Sequence, residues 1–200
     1  MKRKSIISIA AVFVLVVAVL WCAKPSSDGQ GDLTNGRARI PVVFSKGHET
    51  NPVDHGRPVT LIGPVLGVSP EIFREAFSRV RPARAGMAPS HNRVMENKKA
   101  LMRVLAPHRV TNERLDTASN YYRYNRSRGE MWPTDSATAY ALVHNGEITG
   151  FEITDGGSGY SSRPIVTVPG VNKFAAEVQM SFSQQFDKNG SVTAITLMND

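Results

Sequence analysis

His48-Glu49 and Asp54-His55 place two imidazoles and two carboxylates within eight residues, a donor set suited to zinc or another transition metal. His48, Asp54 and His55 are the candidate metal ligands. A metal-dependent enzyme built on them would draw Glu130 or His108 into the same pocket. His48 and His55 are separated by Asn51-Pro52, so a loop rather than a helical histidine pair would have to unite them. Asp54 has an alternative use, accepting backbone N–H groups ahead of Arg57-Pro58. A second group lies near the middle of the chain, where Tyr121, Tyr122, Arg123 and Tyr124 are followed by Arg126, Arg128 and Trp132. Aromatic faces bind sugar C–H surfaces and guanidinium groups bind carboxylates, so Arg123, Tyr124, Arg126, Arg128 and Trp132 are candidate ligand-binding residues. The competing use of the same side chains is as packing between two layers. No catalytic set is expected from the sequence, and no cofactor.

Two further patterns lose their force on inspection. Gly156-Gly157-Ser158-Gly159 resembles a nucleophile elbow, but Tyr160 stands where the last glycine belongs, and strands flank it on both sides. A turn with positive backbone angles, after which Tyr160 folds onto a sheet, fits better. Pro58 to Val80 imitates a helix-turn-helix with Arg74, Arg79 and Arg81 towards phosphates. Phe73 and Phe77 occupy the same helix, and the leader described next directs the chain away from DNA. Nucleic acid is therefore not expected as a partner.

Lys2, Arg3 and Lys4 precede an apolar run from Ile6 to Ala23 whose only strongly polar side chain is Ser8. A positive flank before such a run marks an export segment. At about 1.5 Å per residue its eighteen residues reach roughly 27 Å, close to the thickness of a bilayer core. Cys22, the single cysteine, sits where a lipoprotein would carry its lipidated residue, although Trp21 is bulky for that cleavage site. Residues 1–23 are thus expected to be a signal peptide, lipoprotein signal or membrane anchor, and residues 24–38, rich in Ser, Gly, Asp and Asn, a flexible linker. The expected location is the periplasm or cell surface, with the protein membrane-anchored. One cysteine excludes an internal disulfide.

The remainder divides by period and by charge. Residues 39–133 read as an α-helical domain, with a short strand at Arg39–Phe44 and a run Val59–Leu66 that Gly63-Pro64 threatens to interrupt. Ser69-Pro70, Ser90 and Thr111-Asn112 are three capped helix starts, the helix after Ser90 carrying Val94, Met95, Leu101, Met102 and Leu105. Residues 134–200 read as an antiparallel β domain, announced by the Asn145-Gly146 hairpin signal. The chain is therefore α+β with segregated halves. Asn145 to Ile153 is matched forty-four positions later by Asn189 to Leu197. In both copies the apolar positions step by three and then by two, which predicts a bulge or sharp twist at the same place. Residues 71–128 carry a net charge of +8 and residues 129–200 one of −5. That split serves either as internal complementarity or as a basic face for an anionic partner, an acidic glycan or another envelope protein.

Two resemblances follow from these residues. Asp54-His55-Gly56-Arg57-Pro58, Leu66-Gly67-Val68-Ser69-Pro70, Asn97-Lys98-Lys99 and Val110-Thr111-Asn112-Glu113 together resemble a domain of exported planctomycete-type bacterial proteins, over roughly residues 44–133. That resemblance implies export and no particular activity. Gly156-Gly157-Ser158-Gly159-Tyr160 with Pro164-Ile165-Val166-Thr167-Val168 is similar to a β repeat of bacterial surface proteins and phage tail proteins. It implies a structural or binding unit.

Overall fold

A computed structural model describes residues 36–81, 83, 87–123 and 129–198. Among them the chain is a mixed α+β protein with four α-helices and three small antiparallel sheets. The expectations for the leader, including Cys22, for linker residues 24–35, and for Tyr124, Arg126 and Arg128 lie outside the described residues; Arg37 and Ala38, expected at the end of the linker, are part of a strand instead.

The helices form where capping chemistry starts them. α1 (Val59–Leu66) runs unbroken through Pro64, with Leu61 and Val65 wholly buried. Proline in its second turn removes one hydrogen bond, but burial of that apolar face outweighs the loss. Gly67 ends the helix at φ 77°, its N–H returning to Pro64 O at 2.8 Å. Arg114 adds to this C-terminus by donating twice to Val65 O, at 2.6 and 2.9 Å. α2 (Pro70–Ser78) and α3 (His91–Leu105) begin at Ser69 and Ser90, whose hydroxyls accept from Ile72 and Arg93 N–H. Thr111 does the same for α4 (Asn112–Tyr121). Val94 and Met95 do not join the core face of α3 that their spacing predicts; they are 45% and 54% exposed. The reason is length. Asn97 clasps both backbone groups of Arg81 just beyond α2, and the first turns of α3 overhang that point.

The strands depart from the segregated halves expected of the sequence. β1 (Arg37–Pro41) pairs antiparallel with β3 (Thr138–His144), which pairs in turn with β4 (Glu147–Asp155). β2 (Val43–Ser45) pairs with β5 (Ile165–Thr167), and β6 (Ala176–Ser181) with β7 (Ser191–Leu197). Residues 37–45 therefore belong to the β layer, although they precede every helix. One hydrophobic cluster gathers the helices around Leu61, Phe73, Leu105 and Trp132. Two smaller clusters lie between the sheets.

The internal repeat has a structural counterpart. β3–β4 pairs Ala141 with Phe151, Leu142 with Gly150 and Val143 with Ile148, leaving Thr149 as an extra residue. β6–β7 pairs Val178 with Ile195, Gln179 with Ala194 and Met180 with Val192, leaving Thr193 extra. The bulge falls at corresponding positions, as the broken alternation predicts. The turns differ. Asn145 and Gly146, at φ 52° and 86°, make a two-residue turn with both centres left-handed. Asn189 is extended at φ −88°, ending a longer connection from Ser181.

Candidate functional site

His48, Trp132 and Tyr160 gather at a junction where the helical layer meets the β layer, whereas Asp54 and His55 lie beside α2 within the helical layer. Asp54 is 3% exposed and receives Arg74 in a bidentate ion pair, Nε to Oδ1 at 2.6 Å and Nη2 to Oδ2 at 3.0 Å. Those hydrogen bonds raise the Arg74 pKa, so the guanidinium stays charged. The pair ties the 3-10 turn Pro52–Asp54 to α2, and it takes Arg74 out of any nucleic-acid contact. His55 adopts the left-handed region at φ 51° and lies exposed beside the same turn.

His48 goes elsewhere. Its ring stacks on Tyr160 with centroids 5.1 Å apart and planes 7° from parallel, while Nδ1 donates to Gly159 O at 3.2 Å. Since a carbonyl can only accept, this contact places a hydrogen on Nδ1. The metal triad is thus not assembled: Asp54 turns to Arg74 and His48 to Tyr160. Among the described residues no group of three or more His, Cys, Asp and Glu is placed to hold a metal.

Trp132 lies beneath the surface at 2% exposure, and its Nε1–H donates to the same Gly159 carbonyl at 2.8 Å. Buried in the helical cluster, it serves as junction packing and offers no open face to a sugar ring. Arg123, just beyond α4, is exposed. Tyr121 and Tyr122 form an aromatic group with Phe186, Tyr121 and Phe186 lying 4.5 Å apart. Burial raises the Tyr122 hydroxyl to about 12, and burial also raises Tyr121.

Asn189 is the junction residue that sequence reasoning missed. It is 0% exposed; Nδ2 donates to Leu61 O at 2.8 Å and to Tyr122 Oη at 2.7 Å, while Oδ1 accepts Ser183 N–H at 3.0 Å. One side chain therefore links α1, the end of α4 and the connection before β7. Its match to Asn145 in the internal repeat gave no sign that the one asparagine is buried and the other exposed.

The glycine loop 156–160 completes the junction. Gly157 and Gly159 hold φ of 63° and 81°, and a Cβ on Gly159 would lie 2.6 Å from Pro133 O. Tyr160 is 3% exposed, its hydroxyl accepting Ala137 N–H at 2.9 Å. The expected turn with positive angles and a tyrosine folded onto the sheet is present. Nearby, Glu49 accepts from Ser162 Oγ at 2.6 Å and Gly47 N at 3.0 Å, and the Ser162 bond foremost lowers its carboxyl pKa. The arrangement binds the chain's own backbone through polar groups, and it presents Arg123 beside an aromatic cluster.

No protein-family model, curated protein or solved structure matches this chain.

Proposed function

We propose that the protein is an exported, membrane-tethered binding or structural module of the cell envelope. The observation that supports it most is the use made of the chemically capable side chains: His48, Trp132 and Tyr160 engage the chain's own groups at the junction, and Asp54 is taken up by Arg74 within the helical layer. Such a braced body suits a scaffold that displays surfaces better than one that turns over substrate. Export rests on the basic flank and apolar run of residues 2–23. The basic helical half gives an acidic glycan or an acidic envelope protein a face to meet, with Arg123 within it.

Fractionating cells that express the full chain tests the proposal. Recovery in the membrane fraction, facing outward by protease accessibility, is the expected result; recovery in the soluble cytoplasm would overturn it. Cys22→Ser separates the modes of attachment, because a lipoprotein would lose its anchor and a transmembrane segment would keep it.

A further inference from the structure

The two β hairpins share their pairing register and the bulge at Thr149 and Thr193, though not their turns, and the glycine loop occupies a defined place against the second of them. Three walls enclose it. Val192 N–H donates to Gly156 O at 2.8 Å, and Gly159 and Tyr160 N–H donate to Asn189 O and Gly190 O at 2.8 and 3.0 Å, so the start of β7 forms the first wall. Asp135 exchanges both backbone hydrogen bonds with Ser158, and Ala137 donates to Tyr160 Oη, so the approach to β3 forms the second. The end of β4, from which the loop emerges, is the third.

Carrying these walls across the hairpin correspondence leads to a specific place. The start of β7 at Gly190–Val192 maps onto Gly146–Ile148 at the start of β4. The approach Asp135–Ala137 maps onto Asn172–Phe174, and the end of β4 onto the end of β7. Gly146, Ile148, Lys173, Phe174, Leu197 and Met198 line one open cavity of about 870 Å³. It is the counterpart of the glycine-loop seat. The two glycines make the contrast concrete: a Cβ on Gly190 would strike Tyr160 O, whereas one on Gly146 meets nothing within 4 Å. Likewise Val192 is buried and Ile148 only half-buried.

We propose that this groove receives an extended, glycine-rich segment of the Gly-Gly-x-Gly-Tyr type from another envelope protein. The chemistry of the occupant follows from the loop that fills the equivalent seat. Close backbone approach demands glycine there, because a Cβ on Gly156 would lie 2.5 Å from Val192 O. The aromatic that follows gains an apolar seat: Phe174 stands where Ala137 backs Tyr160, so an incoming ring meets a ring. Affinity would come from backbone hydrogen bonds to the start of β4, and specificity from the ring, as in strand-addition modes of recognition. The inference rests on the protein's being a binding module, and it names the class of partner.

Fluorescence anisotropy with the full chain in mild detergent tests it, using a labelled peptide with the sequence of residues 153–162. Saturable binding is expected, weakened at least ten-fold when the peptide's tyrosine is replaced by alanine or when the protein carries Met198→Glu. Met198 is 59% exposed, so that variant keeps its fold, checked by an unchanged unfolding midpoint. Lys173→Asp, also at an exposed position, serves as the second variant. No saturable binding would overturn the proposal. So would undiminished binding to both variants, which would mean the peptide exchanges with the chain's own loop. Dimerisation of the protein that Met198→Glu abolishes would assign the groove to a second copy and overturn the trans partner. Absent peptide binding with membrane recovery intact refutes the groove alone, whereas cytoplasmic recovery refutes export alone.

Discussion

Replacing Asn189 with alanine would remove a buried side chain that ties α1, α4 and the approach to β7 together, leaving in place the bonds of the more exposed Arg114 to Val65 O and Gln184 Oε1. Three hydrogen bonds disappear, to Leu61 O, Tyr122 Oη and from Ser183 N–H. Leu61 O sits within α1 and Tyr122 Oη can turn its own hydrogen elsewhere, so the largest costs are the half-buried Ser183 N–H left without its acceptor and the cavity. At about 1–3 kcal/mol for each unsatisfied buried group, with partial relief, the total is about 3–4 kcal/mol. That is a large share of the roughly 5–15 kcal/mol that holds a domain folded. Urea unfolding followed by circular dichroism measures it. Asn145→Ala is the matched control, since Asn145 is exposed and only its left-handed φ favours asparagine; its cost should stay near 1 kcal/mol. Asn189→Asp supplies an independent sign. A carboxylate cannot donate to Leu61 O, but the protonated acid can, so the buried acid's pKa rises in the folded state. Its stabilising share is then present below the ordinary carboxylate range and lost as pH rises through the raised value. A cost below 1 kcal/mol for Asn189→Ala, or an Asn189→Asp variant that weakens on acidification as the parent does, would refute the bridging role.

Trp132→Ala should cost about 3–5 kcal/mol in the same unfolding assay, as for a buried aromatic, and a near-neutral result would return Trp132 to a ligand-facing role. Gly146→Val should cost about 1–2 kcal/mol through its φ of 86° alone, since no neighbour obstructs the new side chain; an unchanged midpoint would exclude the left-handed turn. Tyr122 gives an alkaline signature: its folded pKa of about 12 lies above the ordinary 10.0, so stability is whole below pH 10 and falls by roughly 2 kcal/mol as pH rises to 12. Tyr122→Phe should flatten that decline in a pH series of melting curves.

Local features were legible in the sequence because local chemistry determines them. Ser69, Ser90 and Thr111 each accept the N–H three residues on, and the broken alternation in both repeat copies marks Thr149 and Thr193 as extra residues. Pairing over distance was not legible. Arg37–Ser45 carries no mark of its partners at Tyr140 and Thr167, and its nearness in sequence to the helices points to the wrong layer. The site suffered from the same limit. Donor counting around His48 and Asp54 could not foresee Arg74 and Tyr160, which the fold brings from elsewhere, and Asn145 and Asn189 look alike until one is buried.

The pairing of β1 with β3 also has a consequence in time. Pro41 meets Tyr140 only after about a hundred more residues have been made, which at about 5–20 residues per second is a wait of roughly 5–20 seconds. Through that interval β1 is an unpaired strand on a growing chain, the kind of segment that invites association with its neighbours. Arg37 and Arg39 alternate along it and Pro41 ends it. Arginines and a proline are the residue types that guard such strands, since like charges repel like strands and proline lacks a ladder donor, and so this composition suits a strand whose partner arrives late.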